Sequence, residues 1–178
     1  ADPVPGLSNI TVTGGRANLS AALSYLKKPE TDHIALYAGW NHVSVAKRLI
    51  AGNDTAYDLF GQITNTSGHS ILKYHNASWI TVPAEEKITP LSSYWIWSGA
   101  NQNITPKTDS IQNGTYTKDL DGGWNGFGVM GTGYEPAKTH LNPIGDNWTY
   151  VIGYDAISQY YEEPIIRNGT GNQSDSRI

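Results

Sequence analysis

One phrase occurs twice in this chain. Residues 36–45 read LYAGWNHVSV, and residues 120–129 read LDGGWNGFGV. In both, an apolar residue and two spacers lead into Gly-Trp-Asn, and an apolar run then ends in valine. Repetition constrains a fold more than a single motif does. A unit written twice is folded twice, and two copies too small for separate cores stabilise each other by packing. Glycine lets the backbone turn, tryptophan supplies a large plate to bury, and the asparagine side chain can satisfy backbone groups at a turn. The phrase therefore reads as a structural anchor, formed by Gly39, Trp40 and Asn41 and again by Gly123, Trp124 and Asn125. It needs no catalytic reason.

The pattern around the phrase divides the chain into four parts. Residues 1–33 are a lead-in, with a β-prone NITVT followed by a short helix over 18–28 that Asn18 caps and Pro29 stops. Residues 34–98 form the first repeat. It opens with two strands, or one bent at Gly39, and continues with a helix over 54–63 capped by Asp54 or Asn53. Ala56, Leu59, Phe60 and Ile63 fall on one face of that helix. A hairpin turning at Asn76 follows, and then the strand YWIWS. There Trp95 and Trp97 alternate with Tyr94 and Ile96, so both faces are apolar and burial on both sides is expected. Trp95 and Trp97 count as further anchors. Residues 99–114 read as a linker with one more strand near Ile104.

Residues 115–178 form the second repeat. After the phrase and a Gly-rich, bulged strand, EPAKTHLNPI takes the place of the helix, with Pro136 in its first turn and Pro143 ending it. In WTYVIGYDAISQYYEEPII, Tyr154 answers Tyr74 and Tyr160 answers Trp79. The repeat stops before any counterpart of YWIWS. The expected fold class is β-rich, mainly β with short helices (α+β), as two diverged tandem repeats packed together behind an N-terminal strand and helix.

The motif N-x-[ST] occurs at Asn9, Asn18, Asn53, Asn65, Asn76, Asn103, Asn113, Asn147, Asn168 and Asn172. Given the share of serine and threonine in this chain, chance would place roughly two or three such motifs. The excess points to N-glycosylation, which requires export and marks surface positions. The opening ADPVPG carries no basic or long apolar stretch and reads as the mature end left by signal cleavage. An extracellular, cell-surface location follows.

Other classes of function find little support. A net charge of -4 and only 16% charged residues give no basic field for nucleic acid. No apolar run is long enough to span a bilayer. There is no cysteine, no HExxH, no P-loop and no nucleophile elbow. The pairs Glu85-Glu86 and Glu162-Glu163 read as solvated surface rather than glycosidase carboxylates. DLDGGWNG lacks the later acid of a calcium loop, although Asp109 and Asp121 have the chemistry to bridge subunits through an ion. The five histidines show no metal-ligand spacing. No enzyme activity, metal or cofactor is expected, beyond covalent N-linked glycans. The serious rival is a secreted carbohydrate-binding module in which Trp79, Trp95, Trp97, Trp148, Tyr160 and Tyr161 form a stacking platform.

Gly-Trp-Asn before an apolar strand, then a helix, a Tyr-led hairpin and a closing Tyr-Trp-Ile-Trp strand, resembles the tandem modules of surface-layer and sheath-type proteins of methanogenic archaea. The resemblance spans residues 34–178, and WTYVIGYDAISQYYEEPIIRNGTGNQSDSR is similar to the second module of that architecture. It implies an exported, glycosylated envelope protein that assembles with itself into a layer, sheath or filament. It carries over no functional site. The missing closing strand leaves three readings open: a longer precursor that has been trimmed, a sequence that stops short, or a strand supplied by a neighbouring copy, and the last would show how copies join. NITVT of one subunit would add to the open edge of the next, a head-to-tail contact that does not close on itself.

Overall fold

A computed structural model of the chain describes residues 2–3, 15–16, 33–109, 115–130 and 135–176. The chain divides into two compact units, Ala1–Thr31 and Asp32–Ile178. In the first unit, β1 (Asp2–Pro3) pairs antiparallel with β2 (Gly15–Arg16). The expected NITVT strand, the helix over 18–28 and the sequons at Asn9 and Asn18 lie outside the described residues, as does the sequon at Asn113.

The second unit is β-rich. Its central sheet has four antiparallel strands in the order β4 (Gly39–Ser44), β7 (Ser93–Ser98), β5 (Leu72–His75), β6 (Ser78–Thr81). The turn joining β5 to β6 has Asn76 and Ala77 at φ 49° and 56°. Two successive positive φ angles make it a type I′ turn, whose twist suits a two-residue hairpin. Beside the sheet, β3 (Ile34–Leu36) pairs with β8 (Gln102–Ile104). The stretch read as a linker is thus partly built into the first repeat, and Ile104 is fully buried there.

The helix is α1 (Ala56–Phe60). Its cap is Thr55 rather than Asp54 or Asn53. The Thr55 hydroxyl accepts from the Asp58 N–H, and an Asp58 carboxylate oxygen accepts from the Thr55 N–H at 3.1 Å. This reciprocal pair is a capping box, and it satisfies two donors that a helix start otherwise leaves open. Asp54 instead binds Lys87. The expected apolar face is buried: Ala56, Leu59, Phe60 and Ile63 pack with Leu36, Val45, Leu49, Val82, Ile88, Tyr94, Ile96 and Ile104. Phe60 meets Tyr94 edge-on at 5.6 Å.

Every residue of that cluster lies between positions 36 and 104. Among the described residues, the second repeat adds none. Its helix is a single turn, α2 (Ala137–His140), followed by a 3-10 turn at Asn142–Ile144. Its strands are an interrupted hairpin. There β9 (Tyr150–Val151) pairs with β12 (Ile165–Ile166), and inside them β10 (Tyr154–Asp155) pairs with β11 (Tyr160–Tyr161). Tyr154 therefore faces Tyr161, as Tyr74 faces Trp79, so the counterpart of Trp79 is Tyr161 rather than Tyr160. Among its described residues, Leu141 is the one buried large apolar side chain. The strand expected at its Gly-Trp-Asn phrase does not form; residues 115–130 run without regular structure. Among the described residues, no helix is long and apolar enough to cross a membrane.

Candidate functional site

The doubled phrase makes the same local object twice. In the first copy, Asn41 Oδ1 accepts from the Tyr37 N–H at 2.8 Å, and Asn41 Nδ2 donates to the carbonyls of Tyr37 and Gly39 at 2.8 and 3.0 Å. In the second, Asn125 Oδ1 accepts from the Asp121 N–H at 3.0 Å, and Nδ2 donates to the carbonyls of Asp121 and Gly123 at 2.8 and 3.1 Å. The glycine before tryptophan has φ 108° in one and 97° in the other, a conformation open to glycine. Glycine permits the turn and asparagine clamps it. The tryptophans differ. Trp40 packs edge-on against Trp97 at 5.6 Å, whereas Trp124 is 54% exposed and touches Tyr150.

Strand register sorts the central sheet into two faces. Tyr94, Ile96 and Asn41 point into the core and are buried. On the opposite face the cross-strand pairs are Trp40 with Trp97, His42 with Trp95, Leu72 with Trp95, and Tyr74 with Trp79. Trp95 and Trp97 are half-buried. The expectation that YWIWS is buried on both sides is thus corrected: one face enters the core and the other carries a layer of rings.

The second repeat lies on that layer. Gln159 receives the Trp40 N–H at 2.8 Å and donates to the Trp40 carbonyl at 2.9 Å, which mimics a strand partner. Tyr154 packs on Trp95 at 4.7 Å between ring centroids, and Tyr161 on Trp95 at 6.1 Å. Further along, Gly128 lies against Ser44 so closely that a Cβ would collide with the Ser44 side chain, and its N–H donates to the Leu91 carbonyl at 2.9 Å. Two glycines of the Gly-rich run, Gly126 and Gly128, are there for close approach rather than for a bulged strand.

The covering is incomplete. A groove of about 210 Å³ remains, lined by Trp40, Leu72, Trp79, Trp95 and Tyr161. At its rim Trp79 is 55% and Tyr161 is 65% exposed. Within the layer, Nε2 of His42 and Nε1 of Trp97 are buried and lack a hydrogen-bond partner among the described residues. Burial lowers the His42 pKa below the usual histidine value, so the stacked ring is neutral at neutral pH. Ring faces converging on an open slot can bind a flat apolar surface such as the C–H face of a sugar.

Of the six aromatics proposed as a platform, Trp79, Trp95 and Tyr161 meet at the groove, while Trp97 packs with Trp40 and His69. Tyr160 and Trp148 do not line it. Sequence reading missed His42, His69 and Gln159. The alternation of β4 places His42 on the face of Trp40, but nothing marks Gln159, whose position depends on a turn residue at φ 59°. The sequon asparagines are surface groups: Asn65, Asn76, Asn103, Asn147, Asn168 and Asn172 are exposed and Asn53 is half-exposed. Glu86 forms an ion pair with Lys73 at 2.7 Å. No group of three or more His, Asp or Glu side chains is placed to hold a metal ion among the described residues. Comparison with protein-family models, with curated proteins and with solved structures finds no match.

Proposed function

We propose that this chain is an exported, N-glycosylated structural protein of the cell envelope that assembles with itself into a surface layer, sheath or filament. The observation that carries the reading is the placement of the sequons. All seven that fall in the described residues put their asparagine at least partly in solvent, although the motif is blind to burial. The resemblance to surface-layer modules of methanogenic archaea supports the same reading, as does the exposed edge strand β6, which offers free backbone groups beside Trp79 and Ile80. In this reading glycans shield most faces and the bare edge joins subunits. Electron microscopy of protein isolated from its own cells tests assembly, and mass spectrometry of its glycopeptides tests modification. Regular sheets, tubes or fibres carrying modified sequons are expected. Dispersed, unmodified particles would refute it.

A second reading, a secreted carbohydrate-binding module, is favoured by the aromatic groove. Soluble oligosaccharide would then shift tryptophan fluorescence, and Trp79→Ala would abolish the shift.

A further inference from the structure

A second cavity, of about 260 Å³, is polar where the groove is aromatic. Its walls come from β5, from the 86–94 segment leading into β7, and from the 118–125 segment of the second repeat. Three lysines line it: Lys73, Lys87 and Lys118. Two are neutralised. Lys73 donates to both carboxylate oxygens of Glu86 at 2.7 Å, and Lys87 pairs with Asp54. Lys118 is half-buried and forms no hydrogen bond or ion pair with any described residue. The acids nearby do not serve it. Glu86 is held by Lys73, Asp119 is exposed, and Asp121 lies 3.4 Å from His75.

We propose that this cleft binds a small oxyanion, a carboxylate or phosphate group, as the counter-ion of Lys118. A half-buried cation without a partner is less well solvated than an exposed one, and an anion beside it relieves that cost. An oxyanion in the cleft would form a charge-assisted pair with Lys118, the one lysine on the lining that no carboxylate of the described residues holds. The hydroxyls of Thr89 and Ser92 on the same lining hydrogen-bond to each other at 3.1 Å, and an oxyanion would compete for the proton between them. Burial, followed by repulsion from Lys73, holds the Lys118 ammonium below the usual lysine pKa, and attraction from Asp121 offsets only part of this. Acetylation of Lys118 is also a reporter, because an oxyanion held against its nitrogen shields it from the reagent.

The proposal is independent of the glycoprotein reading, and so is its test. The full chain is titrated calorimetrically at low ionic strength with glucuronate, with inorganic phosphate and with neutral glucose. Saturable binding of at least one anion is expected, with none for glucose. Lys118→Met should weaken it by at least about tenfold while the circular dichroism spectrum stays unchanged. In the unmodified chain, the same anion should slow acetylation of Lys118, read by peptide mass spectrometry, and leave Lys138 unaffected. Tighter binding of glucuronate would assign an acidic sugar as the source of the group; tighter binding of phosphate would assign free phosphate. Absence of saturation with both anions, or equal binding by Lys118→Met, would overturn the proposal.

Discussion

The two asparagine clamps make the same three hydrogen bonds, and removing each should have a different effect. Asn41 is 1% exposed and Tyr37 is half-buried, so Asn41→Ala leaves one N–H and two carbonyls with poor access to water. A lost hydrogen bond is worth about 0.5–1.5 kcal/mol net, and a group left unsatisfied about 1–3 kcal/mol. Three such groups, one of them on Gly39 at the sheet edge, give about 3 kcal/mol. At the second clamp Asp121 and Gly123 are exposed, so water replaces the side chain and Asn125→Ala should cost about 1 kcal/mol. In urea, with a slope of about 2 kcal/mol/M, the midpoint should fall by about 1.5 M for the first variant and about 0.5 M for the second. Asn41→Asp keeps the acceptor for the Tyr37 N–H but points a carboxylate at two carbonyls, and should be at least as harmful as alanine. Equal midpoint shifts for the two alanine variants at unchanged slope would refute the claim that burial sets the worth of these bonds.

Gly128→Ala should lower stability by about 1–3 kcal/mol in thermal melts, because its Cβ meets Ser44, whereas Gly122→Ala meets nothing within 4 Å and should stay within about 0.5 kcal/mol. Thr55→Ala removes the capping box and should cost about 1 kcal/mol by the same assay. The folded His42 pKa lies below its ordinary value of 6.5, so the unfolded chain takes up that proton first. Its contribution to stability should be complete above about pH 6.5 and be lost as pH falls through the folded pKa, with the loss absent in His42→Phe. Melts from about pH 8 to 5 read this directly.

Local chemistry was legible in the sequence, and long-range covering was not. The glycine and asparagine of Gly-Trp-Asn play the same part in both copies because their effect reaches only four residues back. The apolar face of α1 was legible for the same reason. Tryptophan was harder. Alternation separated Trp95 and Trp97 from Tyr94 and Ile96, but it cannot say which face meets the core and which meets the second repeat. The covering depends on Gln159, Tyr154 and Gly128, single residues whose partners lie far away in the chain. At the second phrase no strand pairing forms among the described residues, and Gly128 is held there by its bond to Leu91 and its approach to Ser44 instead. The polar cleft was invisible for a related reason: its lysines and acids lie on separate segments, and nothing in their spacing brings them together.

That the hydrophobic cluster takes none of the described second-repeat residues bears on the order of events during synthesis. Chains emerge from the ribosome N-terminus first, and units that can collapse early do so. By the time residue 104 has emerged, every member of the cluster is available, and the ring-bearing face is complete before the part that covers it has been made. The second repeat then has a template on which to settle. Until it does, that face is bare. The newborn protein passes through an interval in which this aromatic face is uncovered, and slow synthesis or release of the second repeat would lengthen that interval.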